Sequence, residues 1–209
     1  MKKIFVYGDP AVLVNYNRAV NDSGAECVIS ENVADAKRCD ALLLAGGGDV
    51  SPCLYKTAKT NCKAVSLKRD ISELYLIALF LHRKAPIMGV CRGLQILNVF
   101  FDGTLNQSIL HEEIHYAKNK DVTHKITDSK KGFMRELFGE NLIVNSSHRQ
   151  SVNKLGKGLI VCAKSNDNVI EAFEHRNEKV IAVQFHPERM GEINARVRTF
   201  IYDYFISMI

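Results

Sequence analysis

The sequence predicts an α/β protein of three layers, a mainly parallel central sheet with helices on both faces and added antiparallel strands toward the C-terminus. Three observations lead there. Short β-branched runs alternate with helical patterns through the N-terminal half, which requires crossover connections and a sheet covered on both faces. Four strand-like runs then follow one another with only short turns between them, the mark of antiparallel pairing. Finally, 209 residues of which 46% are hydrophobic suffice for one sizeable core, and length favours one domain spanning residues 1–209.

Each element has its own signal. Lys3 to Tyr7 reads as a strand, Val12 to Ser23 as a helix ended by Gly24, Glu26 to Ile29 as a strand, and Ala41 to Leu44 as a buried apolar strand. From Arg69 to Arg83 the residues Ile71, Leu74, Tyr75, Ala78 and Leu81 recur at helical spacing, with Asp70 near the start, so a helix with that apolar stripe is expected. Pro86 to Val90 is a further short strand. Leu142 to Asn145, Leu159 to Ala163, Val169 to Glu174 and Lys179 to Gln184 supply the antiparallel series, and a helix from about Glu192 to Ser207 closes the chain. Ligands of such sheets bind beyond the carboxyl ends of the strands.

Composition narrows the function. No stretch of about 18 apolar residues is present and the N-terminus reads as strand and turn, so neither a membrane span nor an export signal is expected, and the cytoplasm is the expected compartment. Six cysteines in such a chain are expected as reduced thiols, which leaves one free to act as a nucleophile. The net charge of +5 is modest, and its densest stretch, Lys118 to Lys131, is interleaved with Asp121 and Asp128, which reads as a solvated loop and not a nucleic-acid surface.

One cysteine stands apart. Pro86-Ile-Met-Gly-Val-Cys91-Arg-Gly93-Leu-Gln-Ile is strand, small-residue turn, then helix, with Cys91 at the apex. Gly89 and Gly93 have the spacing of a nucleophile elbow, which exposes the thiol at the sheet end and places it at a helix N-terminus that favours the thiolate. The N–H of Arg92 is then available to an oxyanion. Cys27, Cys39, Cys53, Cys62 and Cys162 lack such a setting and read as small buried hydrophobes.

A thiol nucleophile needs a base and a group to orient that base. His186 follows the apolar run Val180-Ile-Ala-Val-Gln-Phe, Pro187 ends the strand there, and Glu188 is placed to reach the far imidazole nitrogen. Gly46-Gly47-Gly48, after the buried strand Ala41 to Leu44, brings backbone N–H groups to the same sheet end, where they can complete the oxyanion hole with Arg92. The loop has neither the G-x-G-x-x-G form nor a P-loop lysine, so no nucleotide is expected there, and no cofactor is implied.

These pieces, in this order, resemble the class I glutamine amidotransferase superfamily, whose sheet is flavodoxin-like, and within it the γ-glutamyl-γ-aminobutyrate hydrolase branch of the γ-glutamyl hydrolase family. The likeness runs from about Ala41 to Glu188 through Gly46-Gly-Gly-Asp-Val-Ser-Pro52, Arg69-Asp70, Gly89-Val-Cys-Arg-Gly-Leu-Gln95, Gly103-Thr-Leu-Asn-Gln107, Asn145-Ser-Ser-His-Arg-Gln150 and Gln184-Phe-His-Pro-Glu188. It implies Cys91 as nucleophile, His186 as base and Glu188 as its orienter, acting on a small-molecule γ-glutamyl amide. It further implies that Gln95 and the segment Ser147, His148, Arg149 and Gln150 line the pocket for the glutamyl end, with His148 a pocket residue and not the base. Asp102 and Asn106-Gln107-Ser108 depart from the family pattern at positions expected on the pocket rim. A free-standing hydrolase and a glutaminase subunit feeding ammonia to a partner synthetase share these features; only the second needs a partner chain, and a homo-oligomer is compatible with either.

One motif competes. His111-Glu112-Glu113-Ile114-His115 matches H-E-x-x-H, which on a helix would hold zinc with a glutamate as base, and Asp121 falls where a third ligand would sit. No sustained amphipathic helix surrounds it and Lys118 stands where the extended motif wants glycine. A solvated loop with ordinary histidines is therefore expected, and no metal.

Overall fold

The computed structural model describes residues 1–58, 61–128, 131–138, 141–191 and 195–209. In chain order its main elements are β1 (Lys3–Tyr7), α1 (Val14–Asp22), β2 (Glu26–Ser30), β3 (Ala41–Leu44), α2 (Leu67–His82), β4 (Ile87–Val90), α3 (Arg92–Phe100), β5 (Thr104–Asn106), α4 (Glu112–His115), β6 (Val122–Asp128), α5 (Phe133–Phe138), β7 (Asn141–Ser146), β8 (Ser151–Lys154), β9 (Leu159–Ser165), β10 (Ile170–His175), β11 (Val180–Val183) and α6 (Ala195–Ser207). The expected start of the last helix, at Glu192, lies outside the described residues.

Nine strands form one sheet in the order β2-β1-β3-β4-β11-β10-β9-β6-β7, while β5 and β8 pair separately. The β2-β1-β3-β4-β11 half is parallel and the β11-β10-β9-β6-β7 half antiparallel. The fold is thus an α/β fold with a parallel core and added antiparallel strands. Strand alternation divides the core in two. Ile4, Met88, Val90, Ile181 and Val183 pack with Tyr16 and Val20 of α1 and Val197, Ile201 and Phe205 of α6. Phe5, Leu42, Leu44, Ile87 and Ala182 face Leu76, Ile77 and Phe80 of α2 and Leu94 and Leu97 of α3. Each fully buried Val, Leu, Ile, Phe or Met among them stabilises the fold by roughly 1.5–3 kcal/mol.

Three expectations are corrected. The Lys118 to Lys131 stretch is not simply a solvated loop: β6 occupies its middle, buries Ile126, and pairs with both β7 and β9. Among the other cysteines Cys39 and Cys162 are buried, but Cys53 is exposed and Cys27 and Cys62 are half-buried; all six thiols are free. In α2 the helix forms as expected but turns a different face inward. Ile71 and Tyr75 are at least half exposed, whereas Asp70, Glu73, Leu76, Ile77 and Phe80 are buried. The reason is a buried cation, Arg92, which needs both acids and so overrides the apolar stripe.

Candidate active site

Strands β3, β4 and β11 are neighbours and parallel, so their carboxyl ends lie side by side. The glycine loop follows β3, Cys91 follows β4, and His186 comes three residues after β11. Adjacency in the sheet thereby gathers three motifs that lie as much as 140 positions apart (186 − 46) in the chain.

Cys91 takes φ 53° and ψ −104°, a strained conformation for a residue with a side chain, and caps the N-terminus of α3. Its N–H bonds to Val183 O at 2.8 Å, which ties the turn to β11. Gly93 is required by packing: a Cβ there would strike the Leu44 carbonyl, preventing α3 from closing against β3. Arg92, as the first helical residue, has an N–H without an intrahelical partner.

His186 and Glu188 flank Pro187 at a short 3₁₀ turn, and His186 Nδ1 lies 2.7 Å from Glu188 Oε1. Asn145 clamps the His186 backbone, accepting its N–H at 3.1 Å and donating to its carbonyl at 2.9 Å. The ring also stands close enough to Cys91 to feel its charge, both groups packing against Gly46. Burial disfavours a charged imidazole here, but Cys91 and Glu188 together outweigh it, and His186 is pushed up to about 10. Charge is favoured on the ring where a thiolate would stand beside it.

Gly46 sits against both groups; a Cβ there would lie 2.9 Å from His186 Cε1 and 3.6 Å from the Cys91 Cβ. Its N–H is taken by the Tyr16 hydroxyl at 2.8 Å, so of the three expected oxyanion glycines Gly46 is not free to donate. Gly47 and Gly48 border the cavity beside Cys91. The loop is anchored from α2: Arg69 donates to the carbonyls of Ala45 at 2.8 Å and Gly46 at 3.1 Å, and Asp70 accepts the Ser51 N–H at 3.0 Å. Glu73 joins Arg69, at 2.7 Å, to the guanidinium of Arg92, which also meets Asp70. The glycine loop and the Cys91 turn are therefore held by one largely buried ionic network.

A model of the family described as peptidase C26 matches residues 9–188. The chain belongs to the peptidase C26 family. Its relatives include the glutamine amidotransferase-like protein YvdE of Lactococcus lactis, 41% identical over 71% of this chain and 66% of that protein. Another is the gamma-glutamyl-CDP-amidate hydrolase of Campylobacter jejuni, 33% identical over 74% of this chain and 64% of the relative. This chain thus spans just under two thirds of either relative's length. The crystal structure of a protein described as a GMP synthase subunit from Thermoplasma acidophilum superposes with a TM-score of 0.70, covering 100% of this chain and 94% of that one. At 19% identity that likeness concerns the fold: a class I glutamine amidotransferase-like fold.

In this C26 member a cavity of about 170 Å³ opens beside Cys91, lined by Gly47, Gly48, Asp49, Lys63, Gln95, Ser147, His148, Arg149 and Gln150 among others. All five residues expected in the pocket reach it. Gln95 is buried, donating to Gln150 O at 3.1 Å and Gln184 Oε1 at 3.3 Å. Arg149 lies over the Tyr116 ring. Asp49 and Lys63 are pocket residues that motif reading did not single out; burial raises the Asp49 carboxyl, partly offset by the Lys63 N–H it accepts at 2.7 Å.

The pattern departures do not all lie on a rim. Asp102 is at the far end of α3 from Cys91, exposed and paired with Lys157 at 2.8 Å. Gln107 is buried and steadies the loop before α2, donating to Ala58 O at 2.7 Å and accepting from Asn61 N at 3.1 Å. Asn106 and Ser108 line a separate cleft with His111 and Asp167. The H-E-x-x-H motif is likewise split. His111 is exposed and near Glu113, Asp121 is bound to Arg189 and Asn145, and only His115 is buried, contrary to the solvated loop expected for it.

Among the described residues no helix is long and apolar enough to cross a membrane.

Proposed function

We propose that this protein is a cysteine-dependent hydrolase that cleaves the γ-glutamyl amide bond of a γ-glutamyl amine, with Cys91, His186 and Glu188 as its catalytic triad. The observation that carries the reading is the juxtaposition of a strained Cys91 at a helix N-terminus with a buried His186 that Glu188 orients at 2.7 Å. In this mechanism the Cys91 thiolate attacks the γ-carbonyl carbon, and the oxyanion is met by the Arg92 N–H and an N–H of Gly47 or Gly48. His186 passes its proton to the leaving amine as the C–N bond breaks. A water then gives its proton to His186 and attacks the glutamyl thioester, releasing glutamate and restoring the thiolate.

The cavity suits the glutamyl half. Arg149 and Lys63 offer cationic partners for an α-carboxylate, and Asp49 an anionic partner for an α-ammonium. For the amine half the analogue is the Campylobacter jejuni relative, whose name specifies a γ-glutamyl compound larger than glutamine. The second reading, a glutaminase subunit delivering ammonia to a synthetase, draws on the Thermoplasma acidophilum fold match.

Glutamate release from a panel of γ-glutamyl amides, measured with the purified protein alone and without ATP, separates the two. The hydrolase reading expects turnover of an amide bearing an amine larger than ammonia, faster than turnover of glutamine, and none in Cys91→Ala. Activity confined to glutamine and dependent on a co-purifying synthetase would establish the second reading instead.

A further inference from the structure

Behind the pocket wall lies a buried cluster that the triad does not use. His115 at the end of α4, His124 in β6, His148 after β7 and Glu171 in β10 converge from four separate segments. Three imidazole nitrogens approach one carboxylate oxygen, Glu171 Oε1: His115 Nδ1 at 3.5 Å, His124 Nε2 at 3.3 Å and His148 Nε2 at 3.5 Å. These inward nitrogens and both Glu171 oxygens are buried without a hydrogen-bond partner.

The outward nitrogens are all engaged. His115 Nε2 meets Asp167 Oδ2 at 3.0 Å, His148 Nδ1 meets the Gln150 carbonyl at 3.0 Å, and His124 Nδ1 faces the Ile114 carbonyl at 3.4 Å. A carbonyl or carboxylate only accepts, so each outward nitrogen carries the proton and each inward nitrogen of a neutral ring presents a lone pair. Three lone pairs would then converge on a buried carboxylate, which is repulsive. Protonating His124 alone, the ring nearest Glu171 at 3.3 Å, would pair the carboxylate but leave the other two lone pairs aimed at it, and protonating all three rings would bury three mutually repelling cations. One divalent cation at the centre satisfies all three rings and the carboxylate together.

We propose that His115, His124, His148 and Glu171 form a structural site for a divalent transition-metal ion, zinc foremost. The ligand chemistry fits, three imidazoles and one carboxylate, each ring oriented by an outer acceptor as metal-bound histidines usually are. The spacing fits as well: tetrahedral bonds of about 2.0–2.1 Å put ligand atoms roughly 3.3–3.4 Å apart, close to the 3.3–3.5 Å from Glu171 Oε1 to each nitrogen. His115, His124 and Glu171 form the tighter set, their ligand atoms all within 4.8 Å of one another, and His148 joins it through its 3.5 Å approach to Glu171 Oε1. The ion would cross-link α4, β6, the Ser147–Gln150 segment and β10. It would also explain why His148 borders the Cys91 cavity while both its nitrogens are directed elsewhere. This site shares only His115 with the H-E-x-x-H motif and leaves no role for His111.

The test uses full-length Cys91→Ser protein, in which the nucleophile cannot hold the ion, stripped with a chelator. Titration with Co²⁺ should give one equivalent bound, with the visible absorption of a four-coordinate site that Zn²⁺ then abolishes, and Zn²⁺ should raise the Tm. X-ray absorption at the zinc edge should show nitrogen and oxygen neighbours at about 2.0 Å and no sulfur. Glu171→Gln and His124→Ala should weaken binding by about tenfold or more, while His111→Ala should leave it unchanged. Failure to bind a stoichiometric ion, a sulfur neighbour, or full affinity in Glu171→Gln and His124→Ala would overturn the proposal. Because the absorption measurements read the site directly, they decide it even if a ligand variant fails to fold.

Discussion

The hydroxyl of Tyr16 accepts the N–H of Gly46 at 2.8 Å, linking α1 to the loop that faces Cys91. The bond fixes the height of that loop over the Cys91 turn and, in the proposed mechanism, leaves the oxyanion role to the glycines that follow.

Tyr16→Phe therefore tests whether loop placement matters to the chemistry. It removes one hydrogen bond, a loss of about 1 kcal/mol in stability. A small displacement of an oxyanion donor costs far more in rate, so kcat should fall by roughly tenfold to a hundredfold while the protein stays folded. Steady-state kinetics alongside a thermal melt provides the check, and an unaltered kcat would remove Tyr16 from the site's support.

In the proposed mechanism Glu188 orients His186 and stabilises its charged form without exchanging protons itself. Glu188→Gln should accordingly lower kcat by a smaller factor than Cys91→Ala, whose loss should be on the order of a thousandfold or more. Equal losses in the two variants would mean that Glu188 does more than orient.

The ionisation of His186 depends on its neighbour. Burial lowers its pKa, and the charges of Cys91 and Glu188 carry it up to about 10. A base raised in this way contributes stability that is complete below its unfolded value of roughly 6.5 and is lost as pH rises through 10. Two results should follow. The alkaline limb of kcat/KM should fall near pH 10, and Cys91→Ser should move the His186 pKa down, measured by NMR titration of histidine-labelled protein. A His186 pKa that stays put in Cys91→Ser would show that no thiolate supports the imidazolium.

The inward face of α2 makes a stability prediction with its own control. Glu73 is buried between Arg69 and Arg92, so Glu73→Ala leaves the buried Arg92 guanidinium with Asp70 as its remaining acid and should cost roughly 1.5–3 kcal/mol in urea unfolding. Ile71→Ala, on the exposed side, should change stability by no more than about 0.5 kcal/mol. A large effect at Ile71 would restore the apolar stripe as the packed face.

By itself the sequence determined the α/β class, most of the strands, and the local geometry of the turns at Cys91 and at His186-Pro187-Glu188. Those signals are short-range: a glycine on either side of a turn, a proline ending a strand, an apolar run of strand length. What only the tertiary structure decided depends on strands that meet across the sheet. Glu171 reads as an ordinary polar residue in a strand, and His124 as one more polar residue in a basic stretch. Pairing of β10 with β9 and of β9 with β6 draws them into one buried cluster with His115 and His148. The buried face of α2 escaped for the same reason. Hydrophobic periodicity scores each helix alone, whereas Asp70 and Glu73 point inward to meet a charge on α3 that no local pattern reveals.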